Sequence, residues 1–208
     1  TVKHQVVGNP LRQGIVDINT ASSLEPSQSK KVLVLGGSLG AKVLNDTVPQ
    51  AINQIKLQNI DVWHQTGKDN QQVVLESYQS YGLPEEKVRV SEFIDDMTAA
   101  YEWADVVVCR AGALTVSELA MAAKPAIFIP LPHAVDDHQT KNAMYLVDRG
   151  AAKLIKQEEF NGTSLAQMLN SLFISDKVVQ SMSKAAKDAA HAEATITVAN
   201  VCQGLVRL

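Results

Sequence analysis

Several features that would mark a special class of protein are scarce in this 208-residue chain. It has only two cysteines, aromatic residues make up 5%, and 19 basic against 22 acidic residues leave a net charge of −3. Two cysteines are too few for a disulfide scaffold, so we expect buried, reduced thiols at Cys109 and Cys202. The near-even charge offers no general attraction to nucleic acid. No apolar run reaches the ~20 residues of a membrane helix, because Lys124, Pro125 and Pro130 interrupt the longest.

What the chain does have is an alternation of short apolar runs and amphipathic stretches. Strands are predicted at residues 31–35, 60–65, 88–93, 104–109, 126–130 and 151–155. Strands that alternate with helices indicate βαβ units and a parallel sheet. Because three of the runs are almost entirely apolar, both faces of the sheet should be covered. The predicted fold class is α/β, a Rossmann-like doubly wound parallel sheet of about six strands.

The helices between these strands divide the chain further. The first follows the glycine-containing residues 36–40 and ends at about residue 58. The second is predicted over 69–81, with Asp69 as its cap, and the others over 97–103, 114–123 and 138–149. The proline at Pro49 should kink or interrupt the first of them. Residues 1–30 are expected to be an interdomain segment with a polar loop, 31–160 the core, and 161–208 two or three helices completing the same domain. The first residues suggest that the numbering begins inside a longer protein.

Two corners where a strand meets a helix through glycine carry the first functional signal. The first corner is residues 36–41 (Gly-Gly-Ser-Leu-Gly-Ala), and the second corner is residues 110–115 (Arg-Ala-Gly-Ala-Leu-Thr). In doubly wound sheets, ligands bind beyond the carboxyl ends of the strands. Glycine lets the backbone approach a ligand closely, and amides at a helix start attract anions, so phosphate or diphosphate is the expected guest. A tight turn without a ligand is the alternative for the first corner.

The carboxylate of Glu118 lies one helical turn beyond the second corner. The amides of Ala113, Leu114 and Thr115 open that helix toward the same crevice, and a carboxylate there can accept two hydroxyls of a sugar ring. The alternatives are that Glu118 favours the helix dipole or forms a capping box with Thr115. Spacing alone favours these two structural roles.

Three more residues are candidates for ligand binding. Two of them follow strands at the carboxyl end of the sheet, and the third precedes the core. Gln139 both donates and accepts hydrogen bonds, which suits a neutral sugar. The backbone of Ile94 could pair with the edge of a base, core packing being the plainer interpretation. Arg12 could hold a diphosphate bidentately, or be an exposed linker arginine. His133 and His138 match no metal-ligand spacing, so no metal site is expected.

Together these segments resemble the C-terminal, donor-binding half of the MurG family of bacterial peptidoglycan glycosyltransferases. The resemblance spans almost the whole chain and is carried by Gly8-Asn-Pro-Leu-Arg12, the first corner, His64-Gln-Thr-Gly67, Phe93-Ile-Asp-Asp-Met97, the run from Cys109 to Glu118, and Asp137-His-Gln139 with Asn142-Ala143. It implies one half of a GT-B fold. It also implies an inverting hexosyltransferase, without a cofactor, that moves N-acetylglucosamine from UDP-GlcNAc to lipid-linked MurNAc-pentapeptide (lipid I to lipid II) in cell-wall synthesis.

The resemblance also assigns roles to particular residues. The residues implicated in donor binding are Arg12 (phosphates), Ser38 (donor), Ile94 (uracil), Ala113, Leu114 and Thr115 (diphosphate and sugar), Glu118 (ribose) and Gln139 (GlcNAc). Where the family often has two adjacent glutamines, this chain has His138-Gln139.

The rest of the machinery is expected outside this chain. The resemblance places the acceptor site, the membrane contact and the general base in an absent N-terminal domain, so no catalytic residue is assigned here. The full-length protein would be peripheral at the cytoplasmic face of the inner membrane. The chain alone would bind UDP-GlcNAc without turnover, and an unpartnered last helix could drive self-association.

The same residues leave two other enzyme classes as alternatives. A UDP-GlcNAc 2-epimerase shares the architecture and would need acid–base residues, for which His133, Asp136 and His138 are available. A nicotinamide dehydrogenase is disfavoured, because Leu35 stands where the dinucleotide fingerprint needs glycine and no acid follows the second strand.

Overall fold

Six parallel strands form a single sheet. The computed structural model describes residues 6–18, 29–37, 39–55, 59–132 and 137–206. The strands are β1 (Lys30–Leu35), β2 (Ile60–Gln65), β3 (Val88–Ser91), β4 (Val106–Cys109), β5 (Ala126–Phe128) and β6 (Ala152–Leu154). Every neighbouring pair is parallel, in the order β3-β2-β1-β4-β5-β6. The predicted α/β class and the six-stranded parallel sheet are confirmed.

Helices follow the strands in the predicted alternation. They are α1 (Gln13–Val16), α2 (Lys42–Asn53), α3 (Gln71–Ser80), α4 (Met97–Trp103), α5 (Ala113–Met121), α6 (His138–Val147), α7 (Gly162–Phe173), α8 (Asp176–Asp188) and α9 (Ala194–Val206). The prediction of two or three C-terminal helices is confirmed with three. The short α1 and a 3-10 turn at Glu85–Lys87 were not predicted, since one turn of helix leaves almost no periodic pattern.

The strands are apolar along their whole length because helices cover both faces of the sheet. Val32 and Val34 pack with residues of α2, α3 and α7 on one face. Leu33 and Leu35 pack with residues of α4, α5 and α6 on the other. Alternate residues point to opposite faces, so each strand needs apolar residues at every position.

The order of the strands places the two corners side by side. From β1 the chain builds β2 and β3 toward one edge, then returns to β4 on the other side of β1. Leu35 and Cys109, the last residues of β1 and β4, are register partners. The winding of the sheet therefore reverses between β1 and β4, and in doubly wound sheets the ligand crevice lies beyond the carboxyl ends of the strands at this point.

The structure corrects one expectation about the helices and part of a second. Helix α3 begins later than predicted, with Asn70 as its N-cap residue. Asp69 does not cap it, because it adopts a left-handed conformation (φ 63°) and donates its N–H to Glu92. Pro49 does not interrupt α2, which runs through it. The proline is buried with Val48, so tertiary packing holds the helix where its missing N–H removes a hydrogen bond.

The expectation of two buried thiols holds for one of them. Cys109 is buried, and burial raises the pKa of its thiol. Cys202 is exposed on α9, where Ile196 and Val201 also face outward, because among the described residues no element covers that side of the helix. Most of the predicted polar loop (residues 19–28) lies outside the described residues.

Candidate functional site

A buried carboxylate lies at the reversal point of the sheet. Glu118 belongs to α5, which starts directly beyond β4, and it is only 6% exposed. Its Oε2 accepts a hydrogen bond of 2.9 Å from the hydroxyl of Tyr101 on α4. Among the described residues, its Oε1 has a single, long contact of 3.4 Å, with Arg12, whose side chain is 64% exposed. The capping-box alternative is therefore wrong, since the carboxylate is turned toward α4 and Arg12.

The start of α5 presents free amides beside this carboxylate. Gly112 is the N-cap residue and offers no side chain, so no side-chain oxygen occupies the helix end. In the described part of the chain, the backbone N–H groups of Ala113, Leu114 and Thr115 have no acceptor. The partial positive charge of these groups attracts an anion. This half of the crevice therefore suits a ligand with a negatively charged group and hydroxyls.

Two side chains of α6 fix the backbone of the second corner. Gln139 accepts through Oε1 from the N–H of Ala111 (3.3 Å) and of Leu131 (3.0 Å). Asn142 donates to the carbonyl of Ala111 over 3.1 Å. The acceptor end of Gln139 is thus occupied by protein, and only its NH₂ group is left to serve a ligand. A cavity of about 420 Å³ opens next to Leu131, between Pro130, Thr140 and residues 156–158.

The arginine of the second corner has a structural role. The guanidinium of Arg110 donates to the carbonyls of Ile129 and Pro130 and to Gln157, over 2.7–3.1 Å. Its partial burial lowers its pKa. These bonds tie the end of β4 to the end of β5 and leave Arg12 as the cation that faces Glu118.

The first corner is built differently from the second. The N–H of Gly36 donates to the carbonyl of Gln65, that of Gly37 to the Gln65 side chain, and that of Gly40 to Gly37. All three of these glycine amides therefore have acceptors within the protein. Gly40 and Gly67 touch so closely that a Cβ on Gly67 would lie 2.3 Å from the Gly40 nitrogen. In the described residues this corner is a packed joint between the loops that follow β1 and β2.

A buried polar network supports that joint. Asn45 donates to the carbonyl of Thr66 (3.1 Å), the residue that contacts Gly40. His64 lies between Asn45 Oδ1 (3.1 Å) and the hydroxyl of Tyr78 (2.9 Å), and is completely buried. Its two ring nitrogens meet one acceptor and one donor, which a neutral imidazole satisfies. Burial accordingly lowers the pKa of His64 to about 3.

The segment that carries Arg12 is fastened to α5. Asn9 donates to the hydroxyl of Ser117 (2.8 Å) and to the carbonyl of Ala113 (3.3 Å). We call this contact the Asn9 clasp. It brings residues more than 100 positions apart into contact and places Arg12 within reach of Glu118.

The structure brings most of the predicted site residues together beyond the carboxyl ends of the strands. Arg12, the start of α5, Glu118 and Gln139 surround the second corner. Ile94 follows β3 and precedes α4, the helix whose Tyr101 holds Glu118. No described residue forms a hydrogen bond with the Ile94 backbone. Ser38, together with His133 and Asp136 of the epimerase alternative, lies outside the described residues.

Sequence reasoning missed Tyr101 and Asn9. Tyr101 lies in a helix that was predicted, but seven residues are too few for their periodicity to show which side chain meets Glu118. Asn9 stood inside a recognised motif, and its partner on α5 is visible only in three dimensions.

Two features are absent from the described residues. No group of three or more His, Cys, Asp or Glu side chains lies there close enough to hold a metal ion. No helix of that part is long and apolar enough to span a membrane.

The fold defines an α/β domain of the doubly wound class, and the residues described above gather at the sheet's reversal point, where this class binds ligands. Comparison with known families is more specific. The model of the glycosyltransferase family 28 C-terminal domain matches residues 31–198, and the chain belongs to this family.

Curated relatives carry one name. A protein of Colwellia psychrerythraea is 52% identical over 97% of this chain, and one of Shewanella frigidimarina is 48% identical over 98%. Both are named UDP-N-acetylglucosamine–N-acetylmuramyl-(pentapeptide) pyrophosphoryl-undecaprenol N-acetylglucosamine transferase. The chain spans 53% and 55% of their lengths, so it corresponds to about half of each relative.

Solved structures agree on the architecture. MurG of Acinetobacter baumannii superposes with a TM-score of 0.84 at 37% identity, covering 91% of this chain and 55% of that protein. A Staphylococcus aureus MnaA structure with UDP gives a TM-score of 0.65 at 15% identity, covering 91% of this chain and 49% of that one. At such low identity the second match shows the fold alone.

Proposed function

We propose that this chain is the donor-binding half of an inverting glycosyltransferase that moves N-acetylglucosamine from UDP-GlcNAc to lipid-linked MurNAc-pentapeptide. The names of relatives that are about half identical over almost the whole chain support this. The single structural observation that carries it is Glu118, a buried carboxylate whose Oε1 has only one long protein contact and which adjoins the free amides of α5.

This geometry suits a nucleoside diphosphate. A carboxylate pairs with ribose hydroxyls in doubly wound nucleotide sites, and phosphate binds at helix starts. Glu118 therefore takes the ribose. The amides of Ala113, Leu114 and Thr115, with Arg12, take the diphosphate. The free backbone groups of Ile94 take the uracil edge, and the NH₂ group of Gln139 donates to a hydroxyl of the sugar. Ser38 is assigned to the donor by the family resemblance.

The same groups also stabilise the leaving group. When an acceptor hydroxyl attacks C1 of the sugar, the C1–O bond to the diphosphate breaks and negative charge grows on the departing UDP. The α5 amides are fixed in direction before the reaction, so they stabilise this charge without reorganising. Arg12 adds a mobile positive charge. The general base and the acceptor site belong to the other half of the full-length protein, and the isolated chain binds its donor without turnover.

The remaining assignments concern the whole protein. Residues 1–30 form the segment toward the other domain, and residues 31–208 form the donor domain. A lipid-linked acceptor requires the full-length enzyme to work at a membrane surface, which we place at the cytoplasmic face of the inner membrane. The exposed Ile196 and Val201 of α9 give the isolated chain an apolar surface for self-association.

Calorimetry with the variant Glu118→Gln tests whether the buried carboxylate of Glu118 binds the ribose. The amide keeps an acceptor for Tyr101 and nearly the same shape, but it loses the negative charge offered to the ribose. We expect UDP to bind about 1–3 kcal/mol more weakly, the cost of disrupting a buried hydrogen-bond partner. Glu102→Gln, the same change at an exposed position of α4, is the control. If Glu118→Gln binds UDP as tightly as the parent, the ribose assignment is wrong.

A further inference from the structure

The buried hydroxyl of Tyr101 has one polar partner among the described residues. It meets Glu118 Oε2 at 2.9 Å, and the tyrosine ring is completely buried between α4 and the sheet. Packing already fixes the ring, so the direction of the hydroxyl is fixed too. The opposite oxygen, Oε1, faces Arg12.

The hydroxyl can act only as a donor toward this carboxylate. Burial, first, and then the nearby Glu118 raise the pKa of Tyr101 well above its ordinary value, so the phenol keeps its proton at neutral pH. A carboxylate accepts hydrogen bonds and donates none. The bond therefore runs from Tyr101 to Oε2, which stops the carboxylate from rotating and leaves Oε1 for another donor.

The helix that carries Tyr101 also connects two parts of the crevice. Helix α4 starts three residues after Ile94, and the Asp96 side chain caps it by accepting from the N–H of Ala99 over 2.9 Å. One rigid turn of helix therefore links the backbone of Ile94 to the carboxylate of Glu118.

We propose that Tyr101 is a positioning residue for nucleotide binding: its hydroxyl holds one oxygen of Glu118 and so aims the other at the ribose hydroxyls. This inference rests on the proposed function. It adds that ribose recognition depends on a residue that does not itself touch the ligand.

The test compares the affinity of UDP with that of 2′,3′-dideoxy-UDP by calorimetry. The parent should prefer UDP. Tyr101→Phe keeps the buried ring and removes only the hydroxyl, so the preference should fall by about three- to tenfold, while dideoxy-UDP binds as before. Tyr78→Phe is the matched control, because its equally buried hydroxyl bonds to His64 on the other face of the sheet, and it should keep the parent's preference.

The outcomes separate the two proposals. A parent that binds both nucleotides equally overturns the ribose assignment, and the inference with it. A parent that prefers UDP, with Tyr101→Phe keeping that preference or weakening both nucleotides equally, overturns the inference alone. Replacing Tyr101 with 4-aminophenylalanine restores an N–H donor at the same place. This variant should retain most of the preference, and a folded 4-aminophenylalanine variant that loses it overturns the inference even if Tyr101→Phe folds poorly.

Discussion

The two corners of the sheet have similar sequences and different structures. Both follow a buried strand, contain glycine and lead into a helix. In the first corner the described glycine amides bond to protein, and Gly40 packs against Gly67. Among the described residues, the first amides of α2 and of α5 both lack acceptors, but only at the second corner does a buried carboxylate, Glu118, lie beside them. The same motif thus builds a packed joint in one place and, in the other, the open helix start that we propose binds the donor.

The difference comes from what each corner faces. The loop after β1 lies against the loop after β2, so its glycines allow two backbones to touch. The loop after β4 is held from the side by Gln139 and Asn142, which leaves its helix start open. Glycine in a strand-to-helix turn therefore indicates that another group can come close to the backbone. The surrounding elements decide whether that group belongs to the protein or to a ligand.

The largest effect should come from filling the joint of the first corner. In Gly67→Ala the new Cβ would lie 2.3 Å from the Gly40 nitrogen, in a residue with φ of +78°. Gly82 has nearly the same φ, +75°, with nothing within 4 Å, so Gly82→Ala isolates the conformational cost. We expect that control to lose about 1–2 kcal/mol. Gly67→Ala should lose about 1–3 kcal/mol more, from overpacking. Urea unfolding measures both, and equal losses would show that the joint has room.

Acid should weaken the same joint through His64. Its pKa is about 3 in the folded chain against 6.5 ordinarily, so the unfolded chain binds the proton first as the pH falls. Neutral His64 makes its full contribution to the free energy of unfolding above pH 6.5. That contribution declines as the pH falls from 6.5 toward 3. The decline is about 1.4 kcal/mol per pH unit, or about 2 kcal/mol by pH 5.

The variant His64→Gln separates this loss from other acid effects. It should be less stable than the parent at pH 8, where its disrupted network is the only difference. Between pH 6.5 and 4, its free energy of unfolding should fall less steeply than that of the parent. Parallel pH profiles from urea unfolding would show that His64 does not resist protonation in the folded state.

The second corner can be tested at Gln139 without loosening it. In Gln139→Glu the side chain still accepts from Ala111 and Leu131, but it loses the NH₂ group. We expect stability to be kept and the ratio of UDP-GlcNAc to UDP affinity to fall by about fivefold, the value of one hydrogen bond. Gln139→Ala, which also deprives the two amides of their acceptor, should lose about 1–3 kcal/mol of stability. An unchanged affinity ratio in Gln139→Glu would place the sugar elsewhere.

The sequence predicts the sheet far better than the site. Continuous apolar runs such as the one ending at Cys109 indicate strands covered on both faces, and they are enough to predict six parallel strands. The same reasoning cannot tell the joint at Gly40 from the open turn at Gly112, because both are glycines between a strand and a helix, and only the structure shows that a side chain would clash at Gly40 and not at Gly112. The contact between Arg12 and Glu118 crosses 106 positions, and no local pattern encodes it. Tyr101 was missed because it acts through another residue.

The smallest expected effect concerns the Asn9 clasp, which holds the Arg12 segment against the second corner. Asn9→Ala removes the bonds to Ser117 and to the carbonyl of Ala113. The contact is exposed, so stability should change little, and UDP affinity should fall by about two- to fivefold, measured by calorimetry. Gln13→Ala is the control, since that exposed amide bonds only to Asp17 within its own segment.

A double-mutant cycle decides how the clasp acts. If Asn9 works by placing Arg12, the Asn9→Ala change should have no further effect in an Arg12→Ala background, because there is no cation left to place. If the loss is the same in both backgrounds, the clasp instead supports the start of α5 directly through Ala113. The first result would make the segment before β1 part of the binding surface. The second would confine that surface to the second corner, which would make the functional difference between the two corners larger.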